Sequence, residues 1–504
     1  MTCAIRVKLG RMGFGHSSNY ISRTRDFLMQ KWKPLLAVSL GTLMLLIDIT
    51  IVIVALPDIQ RDLDTSFSAL QWVLDSYALA LAALVIAAGS LADRFGHKHV
   101  YITGTVLFAG SSLLAGFAPG IDALITARAL QGMAAAAMFA TTVSLLHVTY
   151  SGRDRGTAFA VWGAVAGASA GLGMLAGGML TQWLNWRWIF FVNIPISIVT
   201  IALSMGAFLN TRQAGIRIDI LGVLTVSCAA GALTFAIIHG GDAGWSDTVT
   251  LISFGIAALL LAGFVATESF VSQPMLPLNL FTLRPFTGSV LGAVGVSFAA
   301  FGTSPLLSIW AQDVLGLNAL ETGLAMLPMA AVAFVVSGSM SSLLDRLHPA
   351  LTIGVSLVVV GVGAFLLLFI GPGSSWVAMV PGLVVMGVGV GVSSPPLVAV
   401  ALAAVRPQQA GVASGTVNMG REFGYALGIA VLGSVFATAA GTSRPREISD
   451  HLHGLDMAWI TAGAVGVVAG LITVGVLRSG HAPVQAQTPG GWNDTTEHEG
   501  LTLS

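Results

Sequence analysis

The chain has 504 residues, of which 55% are hydrophobic and only 9% are charged, and it contains 60 glycines. Its 23 lysines and arginines balance 23 acidic residues, and the mean hydropathy is +0.85. Because a soluble domain is about 25% charged, this composition excludes a disordered chain, a basic nucleic-acid binder and an ordinary cytosolic enzyme. It is typical of an all-α polytopic membrane protein. Two cysteines, Cys3 and Cys228, are too few for a disulfide framework or a metal site of their own.

Apolar segments long enough to cross a bilayer, which takes about 20 residues, recur along the whole chain. The first seven lie at residues 34–57, 70–91, 100–118, 123–147, 157–180, 189–209 and 218–239. The next seven lie at residues 248–267, 286–311, 321–343, 350–371, 376–402, 411–439 and 457–477. The first segment is too long for a signal peptide and no small-residue cleavage site follows it. The sequence therefore predicts fourteen transmembrane helices, called spans 1 to 14.

Lysine and arginine residues orient these spans, because cytoplasmic loops carry an excess of them. With the first tail inside, 17 of the 23 basic residues are cytoplasmic, four are outside, and Arg128 and Arg421 lie within spans. This distribution predicts cytoplasmic tails at residues 1–33 and 479–504. The first 28 residues show no apolar periodicity, so we expect them to be disordered.

An internal repeat divides the chain. It rests on Gly89-x-x-x-Asp93-Arg94 after span 2, echoed by Asp345-Arg346 after span 10, and on Gly156 in span 5, matched by Gly411 in span 13. Both matches are shifted by eight spans, so spans 1–6 correspond to spans 9–14. The predicted domains are a first six-helix bundle at 34–209, two inserted helices at 210–267 and a second six-helix bundle at 286–478. Parallel halves of this kind describe a transporter that rocks around a midplane site.

Five short motifs follow one another in a recognisable order. They are Asp48-Ile-Thr-Ile-Val-Ile-Val-Ala-Leu-Pro57, Gly89-Ser-Leu-Ala-Asp93-Arg94-Phe-Gly96, Leu124-x3-Arg128-x2-Gln131-Gly132, Trp186-Arg187-Trp188-x4-Asn193-x-Pro195 and Ala410-Gly411-x-Ala413-Ser414-Gly415-x2-Asn418. Together they resemble the major facilitator superfamily, and the span count resembles its fourteen-helix drug:proton antiporter branch, known for multidrug efflux. One departure lies in span 5, where Met174 replaces the proline of the branch motif. Without that proline a straighter helix is expected.

The resemblance implies a proton-coupled exporter of hydrophobic or amphipathic small molecules that works by alternating access in a cell membrane. Its partners would be the substrate, protons and membrane lipids, with no cofactor. Export of a native lipid or cell-wall precursor stays open as an alternative, and a transport-inactive membrane sensor is a remote one. The sequence contains no P-loop, no H-E-x-x-H and no Ser/His/Asp set, so neither nucleotide drive nor an intramembrane enzyme is expected.

Acidic residues within spans are candidates for proton coupling, because an ionised carboxylate in hydrocarbon costs several kcal/mol. Asp48 in span 1 and Arg128 in span 4 lie at similar depths, counted at about 1.5 Å per residue. A proton taken up by Asp48 would release Arg128, whereas the alternative is a static ion pair that holds the two helices together. Glu422 in span 13 and Asp75 near the outer end of span 2 are further candidates.

Candidates for a substrate cavity come from two patterns. Asn418, Glu422 and Tyr425 recur at helical spacing on one face of span 13, although Glu422 has Arg421 as an alternative partner. The aromatic residues Trp162, Phe298 and Phe301 would suit an adaptable apolar cavity, and helix packing is the alternative for most of them.

The loop after span 2 is a candidate conformational lock, formed by Gly89, Asp93, Arg94 and Gly96. We expect Asp93 to accept hydrogen bonds from backbone amides or from an arginine such as Arg153 across the bundle, and solvated loop charges are the alternative. His451-x-His453 has no third ligand nearby in the sequence, so no metal site is expected.

Overall fold

The computed structural model describes residues 14–208, 219–271, 274–339, 348–441 and 448–478, with side chains from residue 30 onward except at residue 407. Fourteen helices in these residues are long and apolar enough to cross a membrane. The predicted number of spans is therefore confirmed. Asp345 and Arg346, which supported the internal repeat, lie outside the described residues.

The helices are numbered in chain order. They are α1 Phe14–Asp62, α2 Phe67–Phe95, α3 His97–Gly116, α4 Ile121–Thr149, α5 Gly152–Trp183, α6 Trp188–Ala207, α7 Ile220–Ala243, α8 Thr248–Phe270, α9 Arg284–Val314, α10 Ala319–Ser339, α11 Pro349–Phe369, α12 Trp376–Ala403, α13 Ala410–Ala439 and α14 Ile448–Arg478. Two boundaries differ from prediction by more than five residues. Helix α1 already begins at Phe14, where a disordered tail was expected, and α14 begins at Ile448 rather than at residue 457.

Contacts between helices repeat in the two halves of the chain. Helix α1 packs on α5, α2 on α4 and α3 on α6, and the pairs eight helices later, α9 with α13, α10 with α12 and α11 with α14, are also in contact. The two six-helix bundles meet along two seams, α2 against α13 and α5 against α10. The eight-helix shift exchanges these seams, because it carries α2 to α10 and α5 to α13.

The start of α1 and the end of α14 lie on one side of the molecule, because fourteen crossings return the chain to the side where it started. We call this side, with Gln30 and Arg478, the terminal side, and the side with Asp62 the far side. On the far side the bundles are joined by two side-chain amides. Gln71 Nε2 donates to the Ile429 carbonyl oxygen at 2.8 Å, and Gln312 Nε2 donates to the Val54 carbonyl oxygen at 2.8 Å.

On the terminal side the bundles diverge. Within residues 151–164 of α5 only Ala158 is buried. A Cβ built on Gly156 or on its repeat partner Gly411 would meet no atom within 4 Å. A cleft between the bundles therefore opens toward the terminal side and is closed on the far side.

Helix α5 reaches its neighbours through glycines. A Cβ on Gly177 would lie 2.6 Å from the Ile51 carbonyl oxygen of α1, and one on Gly178 would lie 2.7 Å from the Ala319 carbonyl oxygen of α10. In membranes such small residues allow helix backbones to approach closely. Met174 is buried beside them, and α5 runs from Gly152 to Trp183 as one uninterrupted α-helix.

The inserted helices α7 and α8 cover one seam. Helix α7 packs on α2 and on α13. Ser434 Oγ of α13 donates to the Ile237 carbonyl oxygen of α7 at 2.8 Å, and Ile237, Ile238 and Ala430 form an apolar cluster there. Helix α8 packs mainly on α7 and stays largely exposed. The insertion thus covers the seam between α2 and α13.

Candidate functional site

An ion pair is buried inside the first bundle, between Asp48 of α1 and Arg128 of α4. The two side chains are 0% and 1% exposed, so water does not reach either charge. By contrast, the Arg187–Asp62 pair at the far end of α1 keeps 31% and 47% of its side chains exposed. The sequence expected Asp48 and Arg128 at similar depths, and the structure brings them into contact.

Three polar side chains surround this pair in a hydrogen-bond network. Asn193 Nδ2 of α6 donates to Asp48 Oδ1 at 2.8 Å, and Gln131 Nε2 donates to the same oxygen at 3.4 Å. Arg128 Nη1 donates to Gln131 Oε1 at 3.0 Å. Ser112 Oγ of α3 accepts from Gln131 Nε2 at 2.8 Å and from Asn193 Nδ2 at 3.3 Å. The network therefore connects α1, α3, α4 and α6.

Arg128 also connects this network to α2. Its Nε donates to the Val73 carbonyl oxygen at 3.1 Å, and its guanidinium lies 4.3 Å from the centroid of the Tyr77 ring, within cation–π range. The Tyr77 hydroxyl donates to the Leu45 carbonyl oxygen of α1 at 3.3 Å. Tyr77 is buried, and both the Asp48 pair and Glu422 of α13 act electrostatically on its hydroxyl. Its side chain therefore joins α2 to Arg128 and to α1.

Asp75 of α2 is placed differently. It is 0% exposed, and neither of its carboxylate oxygens has a hydrogen-bond partner. Tyr425 of α13 is buried across the seam, its hydroxyl also lacks a partner, and the Asp75 charge acts on it electrostatically. Asp75 and Tyr425 therefore face a shared, unsatisfied polar region at the seam between α2 and α13.

Glu422 lies one turn from Tyr425, and its side chain is half-buried. Neighbouring Arg421, its alternative partner, acts on Glu422 electrostatically without forming an ion pair with it, and donates from Nη2 to Ser394 Oγ of α12 at 3.1 Å. No ion pair joins Glu422 to a cation in the part of the chain that the structure describes. Asn418, one turn nearer the terminal side, donates from Nδ2 to the Ser414 carbonyl oxygen of its own helix at 2.9 Å.

The aromatic candidates have separate surroundings. Trp162 of α5 is half-buried, and its Nε1 donates to Thr42 Oγ1 of α1 at 2.9 Å. Phe298 is buried within a π-helical turn of α9, and Phe301 of the same turn packs against the hydrophobic core. Of the three, only Trp162 lies in the helix half that borders the open cleft.

The loop motif joins α2 to α3 through Gly96, whose φ of 100° is a conformation that favours glycine. Asp93 Oδ1 lies 3.4 Å from His97 Nε2, and the Arg94 guanidinium lies 5.3 Å from the Phe95 ring centroid. A Cβ on Gly89 would meet no neighbour within 4 Å. The expected contact of Asp93 with Arg153 is not made in this conformation.

Sequence reasoning missed two members of the buried network as site residues. Ser112 gave no signal, because it is one of two serines in an apolar helix, and Tyr77 carried no motif. Gln131 and Asn193 were visible within motifs but had no assigned role. Their polar amides in otherwise apolar stretches were the available signal, since such groups seek partners in the membrane.

No group of three or more His, Cys, Asp or Glu side chains that could hold a metal ion occurs among the residues described. His451 is buried against Phe436, with ring centroids 5.2 Å apart, whereas His453 is exposed. The two histidines therefore do not converge on one point.

Two known proteins are similar in sequence to this chain over most of its length. The chain is 34% identical over 453 residues to the puromycin resistance protein pur8 of Streptomyces alboniger, with 87% of this chain and 89% of that protein covered. It is 35% identical over 405 residues to the multidrug resistance protein Stp of Mycobacterium tuberculosis (strain CDC 1551 / Oshkosh), with 80% and 75% covered.

A crystal structure of the peptide transporter POT in complex with alafosfalin shares the fold. Its TM-score is 0.64 at 15% sequence identity, over 89% of this chain and 96% of that one. The family model described as Major Facilitator Superfamily matches residues 38–429. This match runs from α1 into α13, through the first bundle, the inserted helices and most of the second bundle, and the chain belongs to the major facilitator superfamily.

Proposed function

We propose that this chain is a proton-driven exporter of hydrophobic or amphipathic small molecules, with both tails in the cytoplasm and no enzymatic activity. The single observation that carries the proposal is the buried Asp48–Arg128 pair, an ionisable pair sealed inside one bundle of a transporter fold. The names of the pur8 and Stp relatives as puromycin and multidrug resistance proteins support drugs over a native lipid as substrates.

Proton coupling follows from the chemistry of the pair. A proton bound to Asp48 neutralises the carboxylate and removes most of its attraction for Arg128. Asn193 and Gln131 can still hydrogen-bond the neutral carboxyl, while Arg128 keeps its bond to the Val73 carbonyl oxygen of α2. Protonation thus loosens the link between α1 and α4 and leaves the link between α4 and α2. Both charges are sealed in this conformation, so proton exchange belongs to another stage of the cycle.

The substrate would enter by the cleft on the terminal side. With cytoplasmic tails, this side faces the cytoplasm and the conformation is inward-facing. Glu422 of α13 is an acid in this region that is only partly buried, and it forms no ion pair among the residues described. An unpaired acid beside a cleft attracts cationic over neutral molecules, which extends the range of substrates to amphipathic cations.

Proteoliposomes with an imposed pH gradient test the proposal. We expect the purified protein to move a fluorescent cationic dye uphill, to stop when an ionophore collapses the gradient, and to show no response to ATP. Asp48→Asn should abolish uphill transport and keep downhill dye exchange, because an amide cannot titrate but can mimic the protonated carboxyl.

Asp58→Asn is the matched control, since Asp58 is an acid of the same helix whose pair with Arg61 is solvent-exposed. It should retain uphill transport. Dye accumulation that continues on ATP alone, or an Asp48→Asn protein that still concentrates dye, would contradict the proposal.

A further inference from the structure

Asp75 is sealed and unsatisfied, and the Asp48 mechanism does not use it. Neither of its carboxylate oxygens has a hydrogen-bond partner, and the side chain is 0% exposed. A buried polar group without a partner is uncommon in proteins and an isolated buried charge is more costly still. In this conformation Asp75 is therefore compatible with a bound proton and incompatible with a free charge.

The position of Asp75 ties that proton to the far-side seam. Asp75 lies one turn of α2 from Gln71, whose amide crosses to the Ile429 carbonyl oxygen of α13. One further turn out, the rings of Phe67 and Phe436 meet across the same seam with centroids 5.7 Å apart. The closure of α2 against α13 is thus part of what keeps water from Asp75.

Among the residues that the structure describes, no neighbouring cation forms an ion pair with Asp75. Helix α13 presents Tyr425 and Glu422, helix α4 presents Arg128, and the Arg128 charge is already taken by Asp48 of α1. The other helices packed on α2 carry their titratable groups elsewhere. These are His97, Lys98, His99 and Tyr101 at the terminal end of α3, Asp219 at the terminal end of α7, Cys228 of α7, which is exposed, His239 of α7, which faces Asp247, and Asp242 of α7, which is exposed.

We propose that Asp75 is a second proton carrier, distinct from Asp48, and that its protonation is required before α2 and α13 can close on the far side. This inference rests on the proposed function, because it adds a proton-dependent step to the same transport cycle. When the seam opens, water from the far side reaches Asp75 and the carboxyl ionises or binds a proton. Only the protonated form can return to the sealed position.

The protonation of Asp75 fixes the order of the steps in the transport cycle. A proton from the far side must occupy Asp75 before the cleft reopens on the terminal side, so an empty and unprotonated carrier cannot return. The Tyr425 hydroxyl of α13, which has no hydrogen-bond partner among the residues described, lies between Asp75 and the open cleft and gives the proton a route out. For one proton, the ratio of closed to open seam should fall by up to about tenfold per pH unit in the range where Asp75 titrates.

Distance measurements across the seam test this requirement without any transport assay. Spin labels at Ser68 of α2 and Thr438 of α13 flank the Phe67–Phe436 contact, in a background where Cys3 and Cys228 are replaced by serine. Double electron–electron resonance in lipid nanodiscs would be recorded from about pH 5 to about pH 9, a range that brackets buried carboxyls. We expect the unmodified seam to close at low pH and to open progressively as the pH rises.

Two variants assign the effect to Asp75. Asp75→Asn should keep the seam closed across the whole pH range, because the amide is neutral throughout. Asp75→Glu should restore a pH-dependent seam, since it returns a titratable group. Asp58→Asn, the matched control, should keep the response, because Asp58 is an acid of α1 whose pair with Arg61 is solvent-exposed and lies outside the seam.

A pH-independent distance in the unmodified protein would overturn the proposal, as would an Asp75→Asn seam that still opens at high pH. These failures differ from a failure of the proposed function. Dye export driven by a proton gradient, together with a seam distance that does not change with pH, would support the proposed function and contradict the role of Asp75.

Discussion

Asp48 and Asp75 are acids on neighbouring helices of one bundle, both 0% exposed, yet their surroundings are opposite. Asp48 has a cation and two amide donors, whereas Asp75 has no partner at all. The difference follows from location. The partners of Asp48 come from α4 and α6 of its own bundle, while Asp75 faces a seam between bundles that rock against each other.

This contrast separates two ways of holding a proton site in a membrane. Inside a bundle the neighbours keep their places through the cycle, so a full set of hydrogen bonds can be built around the charge. At a seam the neighbours leave, so permanent partners are not available and the group is stable only when neutral. Burial alone therefore does not define the role of an intramembrane acid. Its hydrogen-bond and ion-pair partners determine whether it is stable as a charge or only as a neutral group.

The largest expected effect comes from removing the cation of the satisfied site. Arg128→Gln leaves the Asp48 carboxylate buried without its counter-charge, which costs about 3–5 kcal/mol of unfolding free energy in typical buried pairs. Asp75→Asn should change stability far less, because it breaks no hydrogen bond. Thermal unfolding in detergent, followed by tryptophan fluorescence, measures both.

Arg187→Gln is the control for Arg128→Gln, because the Arg187–Asp62 pair is solvent-exposed and such pairs contribute about 0–1 kcal/mol. If the two arginine variants lose the same free energy of unfolding, the buried pair stabilises the protein no more than the exposed pair does. A strong loss for Asp75→Asn would remove the contrast between the two acids.

A smaller effect tests the packing that supports Asp48. Gly177→Ala places a methyl group 2.6 Å from the Ile51 carbonyl oxygen, one turn along α1 from Asp48. Because backbone must move to make room, we expect a loss of about 1–3 kcal/mol in the same unfolding measurement, as for other overpacked sites.

Gly163→Ala on the same helix is the matched control, since its Cβ would meet nothing within 4 Å. It should be neutral or slightly stabilising, because alanine favours helix more than glycine does. If both glycine variants behave alike, α5 does not depend on close approach to α1.

Much of this arrangement could be predicted from residues alone. Length and apolarity predict the fourteen helices, because a bilayer demands both. Equal depth predicts the Asp48–Arg128 contact, since counting residues along rigid helices fixes height. Rotation about the helix axis is harder to infer, so the sequence could not tell that Asn193 and Ser112 point at Asp48 or that Phe298 packs into the core.

The state of the transporter was also beyond sequence reasoning. The loop motif predicts a lock between Asp93 and a residue such as Arg153, but a lock exists only in the conformation that closes its own side. The start of α1 at Phe14 has a similar cause, because helix can continue from an apolar span into residues that have no apolar period of their own.

The smallest expected effect concerns a third acid, Glu422, which differs from Asp48 and Asp75 because it borders the cleft. Its side chain is partly buried but still touches solvent, so a charge there is partly screened and we expect an ion pair with a substrate to contribute about 1 kcal/mol, or about fivefold in affinity. Glu422→Gln should therefore weaken binding of a cationic dye by about that factor and leave a neutral amphipathic substrate unchanged. Proton coupling should persist, because Asp48 and Asp75 are intact.

Glu321 is an exposed acid at the far-side start of α10 and serves as the control. Glu321→Gln should change neither the affinity for the dye nor proton coupling. Equilibrium dye binding and proton-driven transport, measured on the same preparations, separate the two properties. If Glu422→Gln abolishes coupling while the affinity for cations is unaltered, Glu422 belongs with the proton carriers and the substrate is recognised elsewhere in the cleft.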